Sequence, residues 1–169
     1  MAGMDRDAAR IEPWSVGNLP LLELLNDPDM TKHVGGPETP EQLADRQARY
    51  EPVDSRQYRI VAETGEDAGW VGYWERTWHD QQIWEIGWAV IPAFQGRGLA
   101  SSATGQVIEL ARAERLHRFV HAYPKVENAP SNGICRKLRF TLLGEVDLEG
   151  RWGGVARCND WRLDLSEAD

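Results

Sequence analysis

Three stretches of alternating apolar and polar residues, RQYRIVAET (56–64), WVGYWERTW (70–78) and IWEIGWAVI (83–91), constrain this chain more than any other feature. Alternation marks strands with one face buried. The intervening GEDAG and HDQQ suffice for turns, whereas parallel neighbours need a crossover of a dozen residues or more. The three strands are therefore antiparallel neighbours. After Pro92 the period becomes helical, with Leu99, Ala103, Val107 and Leu110 on one face of a helix from about Gly98 to Arg115. RFVHAYP (118–124) then reads as a strand again. A strand–helix–strand connection of this kind is right-handed and makes its two strands parallel, so the sheet is mixed.

The remaining segments fit around that sheet. GNLPLLELLN (17–26) reads as a short helix with Asn18 as a cap and Pro20 in the first turn, followed by a loop at Gly35-Gly36-Pro37. Thr39-Pro40-Glu41-Gln42 has the order of a capping box, which predicts a helix over Pro40–Tyr50 stopped by Pro52. Asn128 can cap a helix from about Ala129 to Leu138, where Pro130 is tolerated because first-turn amides lack helical partners. Two last strands, near 141–148 and 155–165, flank the turn EGRWGG. No repeat or linker divides the 169 residues, so one α/β domain over 1–169 is expected, large enough to bury a core without disulfide or metal staples.

Charge and composition narrow the function classes. A net charge of −8 opposes a general nucleic-acid surface and suits cationic partners. No apolar run reaches the 18 or so residues of a membrane span, and MAGMDRDAAR is too polar for a signal peptide. Cys135 and Cys158 form neither a disulfide framework nor a CxxC zinc spacing, and His117 and His121, four apart, have no accompanying ligands. A cytoplasmic protein with reduced thiols and without metal, membrane or nucleic-acid partner is expected. Five of the eight Trp lie between residues 70 and 88. Trp70, Trp74 and Trp78 share one face of their strand, as sheet packing or as an aromatic wall able to grip a cation. Turned outward, they would form the surface of a homodimer.

The loop Pro92-Ala93-Phe94-Gln95-Gly96-Arg97-Gly98-Leu99-Ala100 carries the chemical signal. It joins a strand to a helix N-terminus, where glycines let backbone amides approach a ligand and the helix dipole favours an anion such as pyrophosphate. A dinucleotide fingerprint needs a third glycine where Ser101 stands, and no Walker sequence is present. The stretch EIGWAVIPAFQGRGLASSA, with Gln95-x-x-Gly98-x-Ala100, resembles the pyrophosphate-binding motif of the GNAT superfamily of acetyl-coenzyme A dependent N-acetyltransferases. NAPSNGICRKLRF resembles the second motif of its RimJ/RimL branch, with Asn128, Ser131, Lys137 and Phe140 in register. Arg139 replaces the glycine usual before the Phe, and Cys135 stands where related enzymes often carry Tyr.

Covering residues 8 to 165, the resemblance implies a GNAT-like, mostly antiparallel sheet with a splayed parallel pair, flanked by about four helices. It also implies a cofactor site. The amides of Gly96, Arg97, Gly98, Leu99 and Ala100 behind Gln95 would hold the pyrophosphate of acetyl-coenzyme A. Val90 and Ile91, at the strand end, would pair with the pantetheine arm, and Asn128 and Ser131 would contact it near the thiol.

Acetyl transfer needs a base for a protonated amine, an oxyanion donor and a proton source for sulfur. Glu85 shares a strand face with Gly87, Ala89 and Ile91, opposite Trp84, Ile86, Trp88 and Val90. Many superfamily members place a carboxylate near this point, which makes Glu85 the first candidate base; its alternative is a structural ion pair with Arg59 or Arg76. Ser131 is the candidate proton donor, or else a local backbone partner. Glu75 and His121 are weaker base candidates whose facing on their strands the sequence leaves open, His121 reading otherwise as a packed sheet histidine, and Cys135 reads as buried. The expected function is transfer of acetyl from acetyl-coenzyme A to a primary amine, of a small molecule or a protein N-terminus, by direct attack in a ternary complex. The alternative is a non-catalytic acyl-coenzyme A binding or sensing protein.

Overall fold

The computed structural model describes residues 8–150 and 153–167. Its strands are β1 (Arg10–Pro13), β2 (Gln57–Val61), β3 (Asp67–Trp78), β4 (Gln81–Val90), β5 (Phe119–Ala122), β6 (Thr141–Glu149) and β7 (Val155–Asp164). The helices are α1 (Leu19–Leu25), α2 (Pro28–Thr31), α3 (Pro40–Tyr50), α4 (Leu99–Glu114) and α5 (Ala129–Lys137). All seven strands form one sheet in the order β1-β2-β3-β4-β5-β7-β6, antiparallel except for β4–β5. The expected mixed sheet is there, with five helices rather than about four. Part of the turn expected at EGRWGG, Arg151 and Trp152, lies outside the described residues.

Local signals set most element ends. The capping box is formed: Thr39 Oγ1 accepts from the Gln42 amide and the Gln42 side chain accepts from the Thr39 amide. His79 and Asp80 both take positive φ, 47° and 62°, in the two-residue turn that lets β3 run directly into β4. Asn18 differs from its expected role. Its side chain accepts from the Ser15 amide and closes a 3-10 turn over Val16–Asn18, so α1 starts without a side-chain cap. β1 has no counterpart in the sequence reading. Four residues ending in Pro13 carry too little alternation to show, and the proline is tolerated because β1 is an edge.

The parallel pairing of β4 and β5 covers only Trp84 with Val120 and Glu85 with His121. Beyond Ala122 the chain leaves β4 and follows β7. The Asn159 amide donates to Pro124 O at 2.9 Å, and the Val126 amide to Arg157 O at 3.1 Å. Asn132, 2% exposed, fastens this detour. Its Nδ2 donates to the carbonyls of Lys125 and Asn128, and its Oδ1 accepts from Asn159 Nδ2 and Trp161 Nε1. β4 meanwhile runs straight on to Val90, so the two strands open into a V.

The faces of the sheet differ in chemistry. On one, Val71, Tyr73, Trp84, Ile86, Val90, Val120 and Ala122 pack with α4 and α5 into the main core. The buried stripe of α4 is Leu99, Ser101, Ala103, Thr104, Val107, Ile108 and Ala111. Leu110, expected inside, is 38% exposed. The stripe is centred on small residues that a hydropathy pattern passes over, and their size lets the helix lie close to the sheet. On the other face, Trp14, Leu21, Leu22 and Leu43 form a second cluster with Tyr50 and Trp70, roofing the β1–β4 half with α1 and α3.

α5 ends in a Schellman motif, with the Phe140 amide donating to Cys135 O and the Arg139 amide to Arg136 O. Arg139 therefore sits at φ 65°, in the left-handed region that costs a residue with a Cβ about 1–2 kcal/mol. The missing family glycine leaves strain and not an altered path. Arg139→Gly is expected to stabilise the fold by about 1 kcal/mol, raising Tm by ~2–4 °C in a thermal melt. A lower Tm would show that the arginine side chain more than offsets the strain.

Candidate active site

Where β4 ends, the chain makes one 3-10 turn at Pro92–Phe94 and enters α4 through Gly96 and Gly98, at φ 78° and 81°. Both lie in the left-handed region that L side chains rarely adopt. The first helical bond of α4 is Ser102 N to Gly98 O, so the amides of Leu99, Ala100 and Ser101 have no helical acceptor. Lys137, from α5, brings an ammonium group to this end of the helix, with Nζ 2.9 Å from Ser101 Oγ. A loop of exposed amides, a helix N-terminus and a lysine together suit a diphosphate.

Two of the loop's side chains act on the loop itself. Gln95 Nε2 donates to Val90 O at 2.9 Å, clamping the turn onto the end of β4. Arg97 folds back, its guanidinium 5.3 Å from the Phe94 ring centre.

Backbone groups alternate sides along a strand, which decides what β4 offers to the V. The Ile91 amide donates to Ala68 O on the β3 side, and Ile91 O accepts from the Phe94 amide. Ile91, expected among the cofactor residues, thus has both backbone groups spent within the chain. By alternation, the backbone groups of Trp88 and the Val90 amide point to the opening, where β5 has departed, while Val90 O on that side is already held by Gln95 Nε2. Trp88 is a residue the sequence reading did not assign to this edge.

Across the opening, Asn128 caps α5 by accepting from the Ser131 amide at 3.3 Å. Ser131 Oγ makes no hydrogen bond among the described residues, so the hydroxyl is not a local backbone partner. Cys135 is 0% exposed in the core, and burial pushes its thiol up to about 12.

Glu85 lies on the face opposite the main core. Its Oε2 accepts from Arg76 at 2.7 Å and from Trp74 Nε1 at 3.2 Å. Of the two arginines open from the sequence, Arg76 is the partner; Arg59 instead joins Glu12 and Asp67 across β1–β3. Gly87 gives the tryptophans room, since a Cβ there would come within 3.0 Å of Cη2 of both Trp70 and Trp74. Tyr50, Trp70 and Trp74 stack in series at 5.9 and 6.2 Å. Trp78 continues the row, packing edge-on to Tyr123 at 5.1 Å, with Arg76 4.9 Å from the Tyr123 ring centre. The three tryptophans are half-buried and line this face beside Glu85. The Tyr123 hydroxyl is buried without a partner, and burial holds it well above the usual phenol range, keeping it protonated. Sequence reasoning missed Tyr123, because its only signal is its position where β5 leaves β4.

No helix among the described residues is long and apolar enough to cross a membrane. Residues 10–141 match the family model of the GNAT acetyltransferase domain. No curated protein matches the sequence. Among solved structures, the chain is similar to the GNAT-family acetyltransferase from Bacillus anthracis, at 16% identity and TM-score 0.80 over 96% of this chain and 98% of that one. The microcin C7 self-immunity acetyltransferase MccE, solved with acetyl-CoA and AMP, gives 18% identity and TM-score 0.77 over 93% and 92%. Spermidine N-acetyltransferase from Vibrio cholerae, solved with CoA and spermine, gives 13% and 0.75 over 94% and 96%. With more than half of its length matched by the family model and the V-shaped opening set beside an amide-rich loop, the chain belongs to the GNAT acetyltransferase domain family.

Proposed function

We propose that the protein is a cytoplasmic N-acetyltransferase of the RimJ/RimL type, moving acetyl from acetyl-coenzyme A to a primary amine by direct attack in a ternary complex. The observation that carries this reading is the open edge of β4 leading to the N-terminus of α4. The Gly96–Ala100 amides and Lys137 suit the pyrophosphate, the backbone of Trp88 and the amide of Val90 face the pantetheine arm, and Asn128 and Ser131 lie on the other side of the opening. When bound, acetyl-coenzyme A supplies the acetyl group as an activated thioester.

The rest falls to side chains of this chain. An alkyl amine near neutral pH is an ammonium ion and must lose a proton before its lone pair can attack. Both contacts of Glu85 fall on Oε2, so Oε1 is the atom assigned to draw that proton, directly or through a water. Ser131 Oγ–H is assigned to protonate the departing sulfur, taking up in exchange, directly or through a water, the second proton that the nitrogen sheds as the amide forms. Arg76 takes Glu85 Oε2 and His121 takes Asp160, so Glu85 Oε1 beside the Trp74 ring is what this face offers a cation, in keeping with the net charge of −8 and with the spermine bound by the Vibrio relative. The sensor reading rested on Cys135 and Arg139; one is core packing and the other a helix end.

Calorimetric titration with acetyl-coenzyme A, followed by thiol-release assays over polyamines, amino acids, aminoglycosides and N-terminal peptides, tests the proposal. Binding with turnover on one amine class is expected, and binding without turnover on any amine would favour the sensor. Gly98→Glu, which strains the backbone and places a negative charge in the cradle, is expected to abolish binding; unchanged affinity would overturn the loop assignment. Glu85→Gln is expected to lower kcat by about 10²–10⁴ with acetyl-coenzyme A affinity unchanged. A loss under about threefold would move the base elsewhere.

A further inference from the structure

The β5–β7 part of the same face holds a second ionisable pair. His121 Nδ1 lies 2.6 Å from Asp160 Oδ1, and each residue is 4% exposed. Trp78 Nε1 donates to the other oxygen, Asp160 Oδ2, at 3.1 Å. A carboxylate oxygen facing Nδ1 places a proton on that nitrogen, which in the neutral imidazole leaves the lone pair on Nε2. No described residue hydrogen-bonds Nε2. His121 lines a cavity of about 290 Å³ together with Trp78, Gln81, Gly144, Asp160 and Arg162. It also stands directly across from Glu85 in the β4–β5 register, and parallel partners present their side chains to the same face.

Sequence position alone makes His121 a sheet histidine. Its surroundings do not suit a purely packed one, because packing needs neither a doubly hydrogen-bonded buried carboxylate behind Nδ1 nor an unpartnered nitrogen in a cavity. Arg162 faces the imidazole from β7, Glu85 from β4 and Tyr123 from just past the end of β5, stacked at 5.8 Å. His79 and Glu145 lie at the cavity rim.

We propose that His121, oriented by Asp160, receives the proton that the acceptor ammonium loses, and that the cavity over it admits the amine. The proposal rests on the acetyltransferase reading and deepens it. The ammonium N–H bond breaks, and its proton passes by Glu85 Oε1 or a water to Nε2, where a new N–H bond forms. The positive charge moves from the amine to the imidazolium, beside the Asp160 carboxylate, and the freed nitrogen lone pair attacks the thioester carbonyl. His121 is a proton-accepting residue and Asp160 a positioning one.

The test is the pH profile of kcat/KM for wild type, His121→Asn and Asp160→Asn, using the best amine found by thiol release, with spermine among the probes. Asparagine at 121 retains an N–H donor for Asp160. His121→Asn is expected to lower kcat about 10²-fold or more, to remove the acid limb of the profile and to leave calorimetric acetyl-coenzyme A affinity unchanged. Asp160→Asn is expected to lower kcat and displace that limb. In the wild-type protein, ¹⁵N shifts of the His121 ring should report the Nδ1-protonated tautomer, a readout that needs no variant. An Nε2-protonated tautomer, or an unchanged profile in His121→Asn, overturns the inference while leaving the acetyltransferase reading intact. Wild type that binds acetyl-coenzyme A but acetylates no amine overturns both.

Discussion

The departure of the chain from β4 after Ala122 is the constraint on which the rest of the site depends. A parallel pair left to itself would continue pairing, because each unpaired backbone group in a sheet interior forfeits a hydrogen bond. Here the forfeited bonds are replaced on the other side. The carbonyls of Pro124, Lys125 and Asn128 find donors in Asn159 and Asn132, and Asn132 in turn accepts from Trp161. One buried amide side chain thus holds the segment after β5, the start of α5 and β7 in fixed relation. The opening beside β4 is as rigid as this network, and leaving its members unpaired would cost about 1–3 kcal/mol per buried group.

From that opening the two faces of the sheet take separate tasks. The α4 and α5 face is apolar and closed, with Trp84 and Val120 fully buried. The other face is closed only over the β1–β4 half, where α1 and α3 sit on Trp14, Leu21, Leu22 and Leu43. Over the rest, aromatic rings and charged groups alternate. Trp74 meets Glu85, Arg76 lies between Trp78 and Tyr123, and Trp78 meets Asp160. The ring N–H groups of Trp74 and Trp78 each find a carboxylate, and Arg76 finds both rings and an opposite charge, so the face stays ordered without being apolar. That accounts for Trp74 and Trp78, whose large flat rings with one donor each suit a half-covered, charge-bearing surface, whereas Trp84 and Trp88 belong to the apolar core on the opposite face.

What could be read from the sequence was local. The capping box at Thr39–Gln42, the glycine loop into α4 and the Asn128 cap are decided by residues close in the chain, and all three are present. The meander and crossover followed because their loops are short. Elements fixed by distant partners were not legible. β1 exists because Arg10–Pro13 find an edge at β2, and Asn18 turns to Ser15 before it can cap α1. The site shows the same division. The glycine loop was readable, whereas the use of Ile91's amide by Ala68 and the choice of Arg76 over Arg59 by Glu85 depend on β3 register. His121 and Asp160 are 39 residues apart, and only the placement of β7 beside β5 makes them a pair.

The departures from the family pattern gain sense in this frame. Related enzymes often carry a tyrosine at the position of Cys135, but here that position is sealed in the core, with its thiol held protonated by burial. α5 then contributes packing, the Asn132 clasp and a Ser131 hydroxyl, and no titratable group of its own at that point. The titratable groups of the open face instead cluster on the strands, with Glu85 on β4 and His121 on β5, Asp160 on β7, and Tyr123 just past the end of β5. A group on a strand of the central sheet is held by cross-strand partners on both sides and moves less than one on a short helix. Under the proposed roles of Glu85 and His121, proton handling on the sheet gains fixed geometry and leaves α5 free to be specified by what the V-shaped opening needs.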